Sequence, residues 1–235
     1  MWKKASKNQI LKTLQVKNYQ EEGVVVNSKY LIPDIDGSIE IKYTVNSDGK
    51  IIVTTSLSDI SSSLPMLPKF GTNFIINKKY NNVKWYGRGP HENYQDRKTS
   101  SLVGIYESKV SELYYPYIRP QENGNRTDTR WLILSDSEGK GIIIETGETF
   151  EFSAHHQLND DFDGGNIKYR KQDTDLKRPI IHTTDIVERP LINLNIDYKP
   201  VSYTHLRAHE TREDRVFRLL HVKKKGGGGG GGGGG

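Results

Sequence analysis

Two short runs of this 235-residue chain concentrate groups that can hold hydroxyls and carboxylates. The first is Trp85-Tyr86-Gly87-Arg88-Gly89-Pro90-His91-Glu92-Asn93-Tyr94, followed by Asp96-Arg97-Lys98-Thr99. The second begins at Tyr114-Tyr115 and continues as Tyr117-Ile118-Arg119-Pro120-Gln121-Glu122-Asn123-Gly124-Asn125-Arg126-Thr127-Asp128-Thr129-Arg130-Trp131. Planar amides and carboxylates bind hydroxyls, and an aromatic face accepts the C–H surface of a sugar ring. Arginine forks onto carboxylates and can order a long loop by charge-assisted hydrogen bonds. The same residues therefore fit a carbohydrate contact or a polar network that shapes a loop against a neighbouring domain. A contact role would fall on Arg119, Glu122, Asn123 and Arg126 in the second run, and on His91 and Asn93 in the first.

Hydrolysis of a glycosidic bond needs two carboxyl groups flanking it, one as acid/base and one as nucleophile or base. Glu92, Asp96, Glu122, Asp128 and the Asp160-Asp161-Asp163 run offer carboxyls, but nothing in their spacing sets a pair at a catalytic separation. A proton-transfer centre of the sugar-epimerising kind would need a histidine opposite a carboxylate. His155-His156 is the candidate, and a hydrogen-bonded loop histidine is the commoner role; His91 and His182 stand apart from it. Asp161 and Asp163-Gly164 cover only part of a calcium loop. No HxH or HxxxH spacing precedes residue 200. No catalytic and no metal-ligating residue is expected.

These groups are carried by strands. Ile39, Ile41, Tyr43 and Val45 alternate with polar residues, and Ile51, Val53, Thr55 and Leu57 resume the period after a Ser47-Asp48-Gly49 turn. Further strands are predicted at 11–16, 23–31, 70–76, 83–86, 131–134, 141–145, 150–153 and 191–196. Ser135-Asp136-Ser137-Glu138-Gly139 reads as another turn between strands. Helical signals are confined to possible turns at 110–113 and 159–162. Many strands joined by Gly, Pro and Asp turns predict an all-β sandwich. Trp85 and Trp131 border the two runs, and packing is their expected role.

The two runs, their order and the apolar segments around them, from about Trp2 to Lys199, resemble the C-terminal domain of lac-type β-galactosidases of glycoside hydrolase family 2. That resemblance implies a large antiparallel β-supersandwich, similar in fold to galactose mutarotase and truncated here at its C-terminal end. It implies that residues 1–17 connect to upstream sequence and that 18–199 form the domain. The family's two catalytic glutamates lie in a TIM barrel N-terminal to this domain, so this segment is expected to be scaffold and carbohydrate-binding wall without chemistry of its own. The resemblance further implies a parent enzyme that hydrolyses β-D-galactosides such as lactose with retention. Mg²⁺, with Na⁺ as a possible second ion, would be held mainly by the barrel. Homo-oligomeric packing and a bacterial, cytoplasmic location are also implied, with a periplasmic one left open by the start of the chain. A free-standing carbohydrate-binding or sugar-epimerising sandwich and a purely structural oligomerisation domain are the alternatives.

After Leu194-Asn195-Ile196-Asp197-Tyr198-Lys199 the family continues into a Gly-Gly-Asp-Asp-Ser-Trp-type segment whose Trp contributes to the sugar subsite. Here Val201-Ser202-Tyr203-Thr204-His205-Leu206-Arg207-Ala208-His209-Glu210-Thr211 resembles one reading frame of a sequencing adapter, and the chain closes on ten glycines. Residues 200–235 are accordingly expected to be a non-native, disordered tail, outside fold reasoning. Without the closing strands, exposed strand edges and poor solubility are expected. Setting aside the seven basic and three acidic residues of 201–235 leaves 27 Lys/Arg against 26 Asp/Glu. No clustered basic face survives, so nucleic acid is not an expected partner. The chain has no cysteine, which excludes disulfides and thiolate metal sites. No apolar run approaches the ~20 residues of a membrane span.

Overall fold

The computed structural model describes residues 2–19, 23–61, 63–65, 67–117, 121–162, 188–198 and 213–222. One helical turn, α1 (Trp2–Ala5), precedes eleven strands. They are β1 (Ile10–Tyr19), β2 (Gly23–Ile32), β3 (Gly37–Val45), β4 (Ile51–Ser58), β5 (Gly71–Asn77), β6 (Asn82–Gly89), β7 (Leu102–Lys109), β8 (Arg126–Ser135), β9 (Gly141–His155), β10 (Leu191–Tyr198) and β11 (Glu213–Val222). The turns at 110–112 and 159–162 are 3-10 turns. The architecture is all-β and every strand pairing is antiparallel. Strand order is β1-β2-β3-β4-β11-β9-β8-β6-β7, with β10 joined to β9 and β5 to β10.

The long strand β9 joins the two halves of the sandwich. Its first half, at 141–146, pairs with β11, and its second half, at 150–155, pairs with β10. Along that second half Phe150, Phe152 and Ala154 point into the core. They meet Ile192, Leu194 and Ile196 of β10, Trp85 and Val83 of β6, Leu132 and Leu134 of β8, and Val53 of β4. Period-two alternation therefore turns Glu151, Ser153 and His155 of β9 and Asn193, Asn195 and Asp197 of β10 to the opposite face. The register aligns them in rows: His155 faces Asn193, Ser153 faces Asn195 and Glu151 faces Asp197. Strand β5 extends these rows, with Asn73 opposite Asn195 and Gly71 opposite Asp197. An apolar inner face thus carries a polar outer face across three strands from distant parts of the chain.

The structure differs from the sequence expectation at two strands. Leu102–Lys109 forms edge strand β7, which the residue pattern does not announce. Glu213–Val222, inside the segment expected to be disordered, forms β11 between β4 and β9. A strand in that position meets the backbone hydrogen-bonding groups of both neighbours, and the Val216-Phe217 and Leu219-Leu220 composition suits it. Among the described residues no helix is long and apolar enough to cross a membrane.

Candidate functional site

The two motif runs fold against each other. Asn93 donates its backbone N–H to the Asn125 carbonyl at 2.8 Å, and Asn125 Nδ2 returns a bond to the Asn93 carbonyl at 3.0 Å. Asn93 Oδ1 accepts from both the backbone N–H (2.9 Å) and the hydroxyl (2.7 Å) of Thr127. Glu151 closes the network, accepting from Asn125 Nδ2 at 2.7 Å and from Gln95 Nε2 at 2.6 Å. Glu92 reaches across to the second run, where it accepts from the Gly124 N–H at 2.7 Å, from Arg97 Nη2 at 2.8 Å and from the Tyr117 hydroxyl. Arg88 donates to Asp128 at 2.6 Å and to the Ser101 carbonyl at 2.7 Å. Asp128 holds a left-handed φ of 52°, which an aspartate tolerates better than most side chains.

Next to this network lies a cavity of about 300 Å³, walled by Lys69, Glu122, Ser153, His155, Asn159, Phe162, Asn195 and Asp197. The Lys69 ammonium pairs with Glu122 and, at 3.0 Å, with Asp197. Burial works to lower the Lys69 pKa, but the carboxylates of Asp197 and Glu122 outweigh it and hold the amine above the usual lysine range. Burial raises the Asp197 carboxyl, and Lys69 offsets only part of that rise. Asn195 Nδ2 donates to Ser153 Oγ (3.2 Å) and Asn159 Oδ1 (3.0 Å), while its Oδ1 accepts from Asn73 (2.9 Å) and Asn159 (2.9 Å). His155 is 2% exposed and hydrogen-bonds through Nε2 to the Asn123 carbonyl at 2.8 Å. Burial drives its pKa down to about 4, helped by the nearby Arg126 charge, so the ring is neutral at neutral pH. Nε2 must then carry the proton it shares with Asn123, which leaves Nδ1 a bare acceptor. It has no hydrogen-bond partner among the described residues.

Residues 1–202 match the family model described as β-galactosidase small chain. The chain belongs to that family. It is 36% identical over 153 residues to a β-galactosidase of Priestia megaterium (strain DSM 319 / IMG 1521), covering 65% of this chain and 15% of that relative. A Streptococcus thermophilus β-galactosidase is 30% identical over 176 residues, 74% of this chain and 17% of the relative. A third, from Lactobacillus delbrueckii subsp. bulgaricus, is 34% identical over 154 residues, again 65% and 15%. The chain therefore spans about a sixth of the length of the curated relatives it matches. The β-galactosidase small-chain match contains both motif runs and every residue of the cavity wall.

Within this β-galactosidase small-chain segment, the six expected carbohydrate contacts separate by burial. Asn93, Asn123 and Arg126 are buried. Their side chains are engaged inside the chain. Asn123 bonds to the Tyr115 N–H and the Gln121 carbonyl. Arg126 donates to the Gly124 carbonyl at 2.6 Å and the Pro90 carbonyl at 3.1 Å, and its guanidinium lies 5.5 Å from the Trp85 ring centroid. Its burial lowers its pKa to about 10. His91 is exposed and bonds to Ser100 and Ser101, away from the cavity wall. Glu122 is exposed and lines the cavity. Arg119 lies outside the described residues, as do Asp163 and His182.

Asp161, the central acid of the weak calcium reading, is paired with Arg189 at 2.7 Å, and Asp160 with Lys7 at 2.9 Å. His156 is buried and bonds to the Leu191 carbonyl and Asn81. Sequence inspection missed Lys69, Asn159, Asn195 and Asp197 as site residues. The available signal was the alternation Ile192-Asn193-Leu194-Asn195-Ile196-Asp197, in which every second residue is polar and able to hydrogen-bond.

Proposed function

We propose that this chain is the non-catalytic C-terminal accessory portion of a retaining β-galactosidase acting on terminal β-D-galactosides such as lactose. Its role is to brace the catalytic barrel supplied by upstream sequence and to wall one side of the substrate cleft. The family match supports the assignment, and one arrangement supports the non-catalytic role. Glu122 and Asp197 are the two carboxylates sharing a cavity wall among the described residues, and the Lys69 ammonium engages both. A glycosidic oxygen between two such acids would have to displace that ammonium. His155 shares this wall, and its Nε2 is engaged by the Asn123 carbonyl rather than by either carboxylate.

Mg²⁺, with Na⁺ beside it, belongs in this proposal to residues outside this chain. The described residues bring together no group of three His, Cys, Asp or Glu able to hold a metal ion. The proposed partners are the upstream barrel, a β-galactoside and further copies of the parent in a homo-oligomer. The proposed compartment is the bacterial cytoplasm.

Replacing the matched segment of the Priestia megaterium relative with residues 1–199 of this chain tests the reading. The hybrid is expected to hydrolyse a chromogenic β-galactoside while the isolated chain does not. Turnover by the isolated chain that disappears on Glu122→Gln or Asp197→Asn would overturn it.

A further inference from the structure

We propose that the cavity walled by Lys69, Glu122, Ser153, His155, Asn159 and Asn195 is a saccharide subsite that takes one neutral hexose unit. The proposal deepens the functional reading above, on which the choice of a galactoside as ligand rests. Its volume of about 300 Å³ lies at the lower end of small-molecule sites, about 300–1,000 Å³. That limits the occupant to roughly one sugar ring.

The wall chemistry selects for hydroxyls. Lys69 is the cation of the wall, and it is already matched by Glu122 and Asp197. No surplus positive charge remains to hold a phosphate or a carboxylate ligand. Donors and acceptors are instead interleaved at close range: the Lys69 ammonium, the amides of Asn159 and Asn195, the Ser153 hydroxyl and the Glu122 carboxylate. A polyol, whose every hydroxyl both donates and accepts, is complementary to such a surface. The His155 ring belongs to the same wall, with its Nε2 held by the Asn123 carbonyl.

The positions are fixed by strands. Ser153 and His155 come from β9 and Asn195 from β10, in paired register, and Asn73 of β5 anchors Asn195 from the other side. Phe162 supplies an apolar surface in the same wall, edge-on to His155 at 5.1 Å between ring centroids. Lys69 and Glu122 are about half exposed, so the site opens to solvent on their side.

Titration of the full 235-residue chain with methyl β-D-galactoside, followed by saturation-transfer NMR and calorimetry, tests the proposal. Millimolar binding is expected, weakened roughly tenfold by Asn159→Ala and by Asn195→Leu. Asn159 sits in a short turn, so its replacement keeps the test informative should the β10 variant fold poorly. Lys140→Ala, in an exposed hairpin, is expected to leave binding unchanged. Three results would overturn the subsite: no binding at sugar concentrations well above millimolar, binding indifferent to both asparagine replacements, or a stronger response to galacturonate than to the neutral galactoside. An inactive hybrid enzyme alongside intact sugar binding would count against the accessory-domain reading and leave the subsite standing.

Discussion

Asn93 and Asn125 clamp each other's backbone across 32 residues of sequence, the first through its amide N–H and the second through its side-chain Nδ2. The clamp explains why both motif runs are rich in polar residues although much of that polarity never meets solvent. Without partners, the backbone around Asn93 and along 123–129, which is buried, would carry the full desolvation cost of its carbonyls and amides. Glu92, Asn93, Asn125 and Arg126 supply those partners, and Glu151 holds the Asn125 side chain in place.

Asn125→Ala removes the bond to Asn93 and leaves one Glu151 oxygen without its donor in a buried setting. The loss is expected to cost about 2–3 kcal/mol, because a buried acceptor left unpaired is penalised beyond the bond itself. Urea unfolding measures it. A change below about 0.5 kcal/mol would place this network among ordinary surface contacts.

Gly124→Ala is expected to be at least as damaging. Gly124 has a φ of +72°, and a methyl group there would lie 2.5 Å from His155 Cε1 and 2.8 Å from the Leu113 carbonyl oxygen. Strain at positive φ and a clash with a fully packed ring add together. Loss of about 3 kcal/mol or more is expected, read as a lowered urea midpoint. Gly139 has a similar φ of +77° and no atom within 4 Å of the added carbon. Gly139→Ala therefore isolates the strain from the clash.

Much of the architecture was legible because the inner faces follow period two. Ile39, Ile41, Tyr43 and Val45 mark β3, and Ile51, Val53 and Leu57 mark β4, with the Asp48-Gly49 turn between them. Strand β7 was not legible, because its outer face presents apolar residues and the alternation of its burial is not one of residue type. Strand β9 reads as two strands because Thr146-Gly147-Glu148-Thr149 interrupts its apolar pattern. Its backbone continues there while its pairing passes from β11 to β10. The motif runs announced themselves by composition, but composition alone does not distinguish a hydroxyl-binding amide from one that binds a neighbouring backbone. The cavity residues come from segments between 69 and 197 and converge only through strand register.

The depressed pKa of His155 makes stability depend on pH in a defined window. Unfolded, the imidazole takes up a proton below about pH 6.5; folded, it does so only near pH 4. Between those values the unfolded state binds more protons, so stability falls as the solution is acidified from pH 6.5 to 4 and the contribution is fully present above 6.5. The size is about 3 kcal/mol over the window. His155→Gln is expected to flatten that slope relative to the parent chain in melts at pH 4.5 and 7. Parallel slopes would remove His155 as the cause.

Among the described residues β1, β5 and β7 each have one paired neighbour. Strand β1 exposes Leu14 (59%) and Val16 (63%), and β7 exposes Leu102 (72%) and Ile105 (60%). Each lies on a strand with one neighbour among the described residues, so an apolar surface coincides there with backbone donors and acceptors that no described strand pairs. Lysine on such an edge blocks pairing by charge and costs little stability at an exposed position. Val16→Lys with Ile105→Lys is therefore expected to raise soluble yield and suppress concentration-dependent association in sedimentation velocity, with a thermal midpoint close to that of the parent. If the double variant associates as strongly as the parent chain, the contacts responsible lie elsewhere than on these two edges.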